Sequence, residues 1–305
     1  SVAPRGWAVA REPEGQRAAV LTRSGVAAGL LQPPDVGLAV VLTPHTTPIL
    51  CSQALCQHQP ISQLQWRPGT NDVLFTVTDP KQGMAQSLYR WNVSTGVVQP
   101  IVASPGLLNG GRDVASACGV SSHNLVCVSA DADQPPRLEK VDVETGRRKI
   151  LFEPNAALAA LLSEEPPSRL MRWNGPGGVA FSGRFFPARG SAPAPLFVTY
   201  YSCSGFLRGG VGDEWPLRSF AERGIAALCI QQQPYRVDAV ERYDLGLSAV
   251  RSAIEVLARQ GEIDRSRAGM GGLSFGSEVT LWVATNSRLL SAASVTSPVA
   301  SPLYY

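Results

Sequence analysis

The chain has 305 residues, a length that suits one to three domains. Hydrophobic residues make up 44% of it and charged residues 17%, as in an ordinary globular protein, and the formal net charge is only +3 with no basic run. We therefore expect neither a nucleic-acid partner nor a membrane partner, since no apolar segment is long enough to cross a bilayer.

The first part of the chain, residues 1–165, contains an internal repeat of short strands. Residues 87–96 match residues 137–146, and both segments end on Asn/Asp-x-x-Thr-Gly. The strands predicted before them, 72–77 and 124–128, also correspond. Four-stranded units that recur every forty to fifty residues are typical of a β-propeller. We predict a partial propeller of about three blades here, too few to close a ring.

The six cysteines fall into three close groups, which are Cys51 and Cys56, Cys118 and Cys127, and Cys203 and Cys229. There is no Cys-x-x-Cys pair and no histidine at metal-ligand spacing, so we expect no zinc site. Two interpretations stay open at this point. Disulfides would favour a periplasmic over a cytoplasmic location, whereas buried free thiols would favour neither.

The second domain is predicted over residues 166–305, after a polar, proline-marked stretch at 163–167. It begins with a hairpin that turns through residues 174–178. Apolar strands then alternate with amphipathic helices. The strands are predicted at 195–201, 225–230, 267–271 and 289–295. Helices are predicted at 243–259 and 278–284, and residues 220–223 are predicted to end another short helix. This alternation is typical of a parallel sheet with crossover helices, and we predict a partial α/β-hydrolase fold.

The segment Gly272-Leu273-Ser274-Phe275-Gly276 matches the G-x-S-x-G nucleophile elbow. The motif alone is weak in a chain with 29 glycines. It lies, however, between a predicted buried strand and a predicted amphipathic helix, where this fold places its nucleophile. We therefore predict that Ser274 is the catalytic nucleophile. The backbone N–H of Phe275, which begins the helix, is the predicted first oxyanion donor.

The loop after the 195–201 strand is expected to supply the remaining contacts. Tyr201, or a backbone amide of this loop, is a candidate second oxyanion donor, although Tyr201 could equally be a packed aromatic at a strand end. Arg208 is a candidate for binding a substrate carboxylate, although loop arginines are often only solvated. We expect no cofactor and no metal ion at this site.

A propeller followed by a hydrolase domain resembles the prolyl oligopeptidase (S9) family of serine peptidases. Residues 261–267 are similar to the family's segment before the nucleophile. Ser277 stands where the family often has glycine, and we expect this change to affect only packing at the start of the helix. Residues 201–216 and the last predicted blade resemble the lasso-peptide isopeptidases within S9.

This resemblance implies that Ser274 attacks the isopeptide carbonyl that closes a lasso ring, with a peptide as the partner. The family's acid and base lie beyond residue 305, and His45, His58 and His123 all precede Ser274. We therefore expect both ends to be incomplete and the 305-residue chain alone to lack turnover.

Three alternatives stay open. The first is a general S9 oligopeptidase or exopeptidase that acts on short linear peptides. The second is a catalytically inactive, truncated binding module, which the missing histidine favours. The third is an esterase or lipase of the α/β-hydrolase fold, against which the blade repeats count.

Overall fold

The structure is a computed structural model that describes residues 9–13, 15, 17–23, 36–41, 47–57, 59–112, 115–206, 215–234 and 236–298, with backbone alone for 22–23 and 36–41. The chain divides into two compact units. The first comprises Ser1–Asp79, Met84–Ala130 and Pro136–Asn155, and the second comprises Pro80–Gly83, Asp131–Pro135 and Ala156–Tyr305. None of the helices that the structure describes combines the length and hydropathy of a bilayer-crossing segment.

The first unit contains three antiparallel sheets. The first sheet consists of β1 (Val9–Arg11), β2 (Ala18–Arg23), β3 (Val36–Val41) and β4 (Ile49–Leu50). The second consists of β5 (Ile61–Trp66), β6 (Asp72–Asp79), β7 (Ala85–Asn92) and β8 (Val98–Ala103). The third consists of β9 (Leu107–Asn109), β10 (Gly119–Val120), β11 (Asn124–Ala130), β12 (Arg137–Asp142) and β13 (Arg148–Phe152). In the first two sheets each strand pairs with the next one along the chain.

The second sheet is buried on both faces because the residues of β6 are apolar in succession. Val73 and Phe75 belong to a core cluster that also holds Ala19 and Leu21 of β2. Leu74, which points to the opposite face, belongs to a cluster with residues of the third sheet. Successive side chains of a strand alternate between faces, so one apolar run serves two cores.

The two turns that the repeat predicts to be equivalent have the same hydrogen bonds. Asn92 Oδ1 accepts from the backbone N–H of Thr95 at 3.0 Å, and Asp142 Oδ1 accepts from the N–H of Thr145 at 2.8 Å. The following glycine has a positive φ in both turns, 74° at Gly96. Glycine adopts this conformation without a steric penalty, which explains its place in both copies.

The second unit is built on a six-stranded mixed sheet. Its strands are β14 (Arg169–Asn174), β15 (Ala180–Phe186), β16 (Ala194–Tyr201), β17 (Ala226–Gln231), β18 (Ile263–Leu273) and β19 (Ala292–Thr296), in the order β14-β15-β17-β16-β18-β19. Its helices are α1 (Ala156–Ser163), α2 (Leu217–Glu222), α3 (Ala239–Arg259) and α4 (Phe275–Asn286). Strands β16 to β19 are parallel, whereas β14 and β15 form the predicted antiparallel hairpin.

Helices cover both faces of this sheet, as β17 demonstrates. Leu228 and Ile230 pack in the cluster that holds the apolar face of α3. Ala227 and Cys229, on the other face, pack with Leu217 of α2. Burial on two faces requires a strand that is apolar along its length, as β17 is. Because β16 and β18 are parallel, their carboxyl ends lie at the same edge of the sheet.

A short loop, Asp131–Pro135, belongs to the second unit although the chain on both sides of it belongs to the first. Asp133 Oδ2 accepts hydrogen bonds from the backbone N–H of Ser168 at 2.9 Å and from its hydroxyl at 2.7 Å. Asp133 also pairs with the guanidinium of Arg218, which is only 3% exposed. A buried arginine needs such a partner, because an unpaired charge is costly to desolvate.

All six cysteines are paired as the three groups in the sequence suggest. The Cα–Cα distances are 6.2 Å for Cys51–Cys56, 4.7 Å for Cys118–Cys127 and 5.8 Å for Cys203–Cys229. The structure therefore has disulfides rather than free thiols. They are compatible with an oxidising compartment, and the periplasmic location stays a prediction.

Two elements differ from the expectation. Helix α1 occupies residues that were not predicted to be helical, just before the proline-marked stretch. Strand β19 is present, but its residues are exposed, whereas a buried strand was predicted for this segment. It pairs with β18 alone among the strands that the structure describes.

Candidate active site

Ser274 lies on a sharp turn between a strand and a helix. Strand β18 ends at Leu273 and α4 begins at Phe275, so Ser274 is the single residue between them. Its backbone has φ 51° and ψ −124°, a conformation that residues with a β-carbon rarely adopt. The side chain is exposed. A strained residue that presents its hydroxyl at the end of a central strand is the geometry of a nucleophile elbow.

Both glycines of the motif are required by close backbone contacts. A β-carbon on Gly272 would lie 2.1 Å from the carbonyl carbon of Gly276. A β-carbon on Gly276 would lie 2.8 Å from the carbonyl oxygen of Tyr200 in β16. Neither contact is possible for a larger residue without movement of the backbone. The turn is therefore packed against both its own helix and the neighbouring strand.

Hydrogen bonds hold the turn against the end of β19. The N–H of Ser274 donates to the carbonyl oxygen of Thr296 at 3.1 Å. The carbonyl oxygen of Ser274 accepts from the N–H groups of Ser277 at 2.9 Å and of Glu278 at 3.2 Å, which begin the helix. The backbone of Ser274 is thus fixed on both sides, and its side chain is left to face the cavity beside it.

Phe275 has its backbone in the first turn of α4 and its ring in an aromatic cluster. The first N–H groups of a helix have no intrahelical acceptor, which makes the N–H of Phe275 available to an anionic oxygen. Its ring contacts the rings of Tyr200, Tyr201 and Tyr243, with centroids 6.2, 6.1 and 6.0 Å away. These contacts fix the residue that follows Ser274.

Ser274 opens onto a cavity of about 820 Å³ that lies within the second unit. The residues that line it are Tyr200, Tyr201, Gln232, Gln233, Pro234, Val237, Asp238, Ala239, Val240, Arg242, Leu245, Ser274, Phe275 and Glu278. The structure thus brings three of the predicted site residues, Ser274, Phe275 and Tyr201, to one cavity. Arg208 lies outside the described residues.

Tyr200, which lines the cavity, lies in surroundings that disfavour its ionised form. Burial raises the pKa of its hydroxyl above the ordinary value, and the backbone N–H of Gln233, which donates to the hydroxyl oxygen at 3.1 Å, offsets only part of this. The carbonyl oxygen of the same residue lies against Gly276.

Residues 232–234 and 237–240, with Arg242 and Leu245, form much of the cavity wall, and the sequence reasoning missed them. Asp238 caps helix α3, because its side chain accepts a hydrogen bond from the N–H of Glu241. An acidic residue three positions before Glu is a helix-start signal, and it could have placed the first turn of α3 at this point. The same turn brings Arg242 over the ring of Phe275, 5.6 Å from its centroid.

A polar contact links α3 and α4 at the edge of the cavity. The hydroxyl of Tyr243 donates to Glu278 Oε2 at 2.7 Å. Trp282 Nε1 donates to Asp244 Oδ1 at 2.9 Å one turn further along. These bonds tie α4, the helix that follows Ser274, to α3, which lines the opposite wall.

No protein-family model matches this chain, but its sequence is similar to that of a known protein. Over 268 residues it is 29% identical to the lasso peptide isopeptidase AtxE2 of Asticcacaulis excentricus, an alignment that covers 81% of this chain and 36% of the relative. The predicted resemblance to the S9 peptidases, and to an isopeptidase among them, is confirmed.

Solved structures of S9 peptidases share the fold of this chain. The ligand-free AtxE2 isopeptidase matches 97% of the chain with a TM-score of 0.77 at 22% identity, and a serine-to-alanine variant with Astexin3-dC4 bound matches with 0.75 at 23%. An acylaminoacyl peptidase of Pyrococcus horikoshii matches 96% with 0.67 at 17%. The chain spans 45% of the length of each of these structures.

The loop that follows β16 in this S9-like fold is anchored by a disulfide. Cys203, three residues before the last described residue of the loop, is bonded to Cys229 of β17. Its N–H donates to Gln231 Oε1 at 3.0 Å. The loop expected to complete the oxyanion site therefore leaves the sheet from a covalently fixed position. Over the residues described, no group of three His, Cys, Asp or Glu is placed to hold a metal ion.

Proposed function

We propose that this chain forms part of a serine peptidase of the prolyl oligopeptidase family, which hydrolyses the isopeptide bond of a lasso peptide through an acyl-enzyme on Ser274. The observation that carries the proposal is the conformation of Ser274. Its strained backbone, held between two obligatory glycines, presents an exposed hydroxyl to a cavity beside a helix N-terminus. Strain of this kind persists where function requires it.

We also propose that residues 1–165 are blades of a β-propeller and that residues 166–305 form an α/β-hydrolase peptidase domain. The repeated antiparallel sheets of the first unit, with their equivalent turns, support the blades. The parallel strands β16 to β19, with helices on both faces, support the hydrolase domain.

In the proposed reaction, Ser274 Oγ forms a bond to the isopeptide carbonyl carbon. The carbonyl π electrons move to the oxygen, and the oxyanion accepts a hydrogen bond from the N–H of Phe275. The Tyr201 hydroxyl is the second donor. The C–N bond then breaks, and the amine leaves with the proton that the serine lost. Water cleaves the ester and returns a proton to Ser274, which gives a linear peptide with a free amine and a carboxylate.

A second candidate is a general S9 peptidase that acts on short linear peptides. The likeness of the fold to an acylaminoacyl peptidase favours it. Both candidates need Ser274 and Phe275, and they differ only in the substrate that reaches the cavity. In either case Arg208 is proposed to contact a substrate carboxylate.

The test uses the protein expressed from its whole reading frame, offered a threaded lasso peptide and the linear peptide of the same sequence. Mass spectrometry follows the gain of one water by the lasso peptide and the appearance of fragments from the linear one. If the protein is an isopeptidase, the lasso peptide should gain one water and the linear peptide should stay intact, and Ser274→Ala should abolish the reaction. Fragments of the linear peptide without opening of the lasso would select the general peptidase, and no Ser274-dependent product would reject both.

A further inference from the structure

Ser277 is a fully buried serine whose hydroxyl contacts three backbone atoms of two residues beside the elbow. Its Oγ lies 2.5 Å from the carbonyl oxygen of Gly272 and 2.7 Å from the carbonyl oxygen of Thr296. The same oxygen accepts from the N–H of Thr296 at 2.9 Å. The side chain has 0% exposure, so water does not compete for these bonds. One hydroxyl therefore links the end of β18, the first turn of α4 and the end of β19.

The carbonyl oxygen of Thr296 is also hydrogen-bonded to Ser274. That oxygen accepts from the N–H of Ser274 at 3.1 Å, while the N–H of Ser277 donates to the carbonyl oxygen of Ser274 at 2.9 Å. Ser274 and Ser277 are thus both hydrogen-bonded to Thr296, at the end of β19. A glycine at position 277 would keep the backbone bond to Ser274 and lose all contacts of the hydroxyl.

Thr296 can restrain Ser274 only if the end of β19 is itself fixed. One attachment is the backbone pairing with β18, in which Thr296 lies opposite Leu273. The buried hydroxyl of Ser277 adds a second attachment to the same residue, because its oxygen accepts from the N–H of Thr296 and lies within hydrogen-bond distance of the carbonyl oxygen.

We propose that Ser277 is a positioning residue that fixes the orientation of the Ser274 hydroxyl through Gly272 and Thr296. The inference rests on the proposed nucleophilic role of Ser274, and it goes beyond the packing effect expected from the sequence. Loss of the hydroxyl lets the turn relax, so Ser274 spends less time in the geometry that attacks a carbonyl. A misplacement of about 1 Å can slow such a reaction by about a hundredfold, and we expect roughly tenfold for the smaller shift that loss of one hydroxyl allows.

The test compares Ser277→Ala with Ser252→Ala in the protein expressed from its whole reading frame. Ser252 is also a buried helical serine, and its Oγ accepts from Trp173 Nε1 at 3.0 Å, but it lies on α3 away from the elbow. The rate of modification of Ser274 by a fluorophosphonate, kcat and KM for the peptide, and Tm are measured for each. We expect Ser277→Ala to lower the labelling rate and kcat roughly tenfold with KM nearly unchanged. Ser252→Ala should lower Tm alone.

Hydrogen exchange of the amides from Gly272 to Ser277 provides a readout that does not need activity. We expect faster exchange there in Ser277→Ala, with the amides of α3 unchanged. Equal labelling rates in wild type and Ser277→Ala would overturn the inference and leave the proposed function intact. A wild type that is not labelled would reject the proposed function, and unchanged exchange at the elbow would then also reject the role of Ser277.

Discussion

A β-carbon built on Gly272 would lie 2.1 Å from the carbonyl carbon of Gly276. The atoms in its way belong to the backbone, so no side chain can move aside. We predict that Gly272→Ala destabilises the second unit by about 3 kcal/mol or more. Gly269→Ala on the same strand is the matched control, because its β-carbon would meet Ala292 no closer than 3.5 Å. Denaturant unfolding should show that Gly272→Ala lowers the free energy of unfolding several times more than Gly269→Ala does.

The strain at Ser274 gives a prediction about stability that is separate from catalysis. Ser274→Gly should be more stable than Ser274→Ala by about 1 kcal/mol, because glycine adopts φ 51° without the β-carbon clash. Both variants should be inactive. At Ser287, where φ is −152°, the alanine variant should be more stable than the glycine variant, because glycine there only adds backbone entropy to the unfolded state. The same order at both positions would contradict the assignment of strain to Ser274.

Removal of a disulfide should have effects that differ with position. The Cys203–Cys229 bond separates its residues by 26 positions and Cys51–Cys56 by 5. Chain entropy predicts losses of about 3.5 and about 2 kcal/mol when each pair is changed to serine. Because Cys203 anchors the loop after β16, its double variant should also slow fluorophosphonate labelling of Ser274. Labelling that is slowed equally by the Cys51 and Cys56 changes would indicate a general loss of structure.

The acid stability of the first unit should depend on Glu139, a residue of β12 that is only 1% exposed. Burial would raise the pKa of its carboxyl group, but hydrogen bonds from Arg148 and Arg137 outweigh burial and lower the pKa below its ordinary value. A folded-state pKa below the unfolded one stabilises the fold above about pH 4.5, and this contribution is lost as the pH falls through the folded value.

Glu139→Gln should therefore lower the free energy of unfolding by about 2 kcal/mol at pH 7, and by progressively less below about pH 4.5. Unfolding free energies measured between pH 7 and pH 3 test this, with Glu164→Gln at an exposed position as the charge control. A penalty that stays constant across this range would mean that the carboxylate does not gain its stabilisation from the two arginines.

The sequence was sufficient for features that depend on local pattern. The elbow around Ser274, the hairpin of β14 and β15, and the equivalent turns at Asn92 and Asp142 follow from residue spacing and turn chemistry. Each of these needs only a few neighbouring residues to be specified. Their positions could therefore be predicted without knowledge of how the chain packs.

The features that depend on packing could not be predicted in this way. Helix α1 is apolar around most of its circumference, so it has no amphipathic period to reveal it. The apolar residues of β19 suggested burial, but the strand is exposed in the described sheet. The role of Ser277 depends on Thr296, nineteen positions away, and only the tertiary structure brings the two together.

The loop Asp131–Pro135 bears on how this protein can be divided. A fragment that starts at Ala156 would lose Asp133, and the guanidinium of Arg218 would then be buried without its counter-charge. Recombination between relatives faces the same constraint. A hybrid that takes its second unit from one parent needs the Asp131–Pro135 loop from that parent as well, so the boundary that matters for exchange is not a single point in the chain.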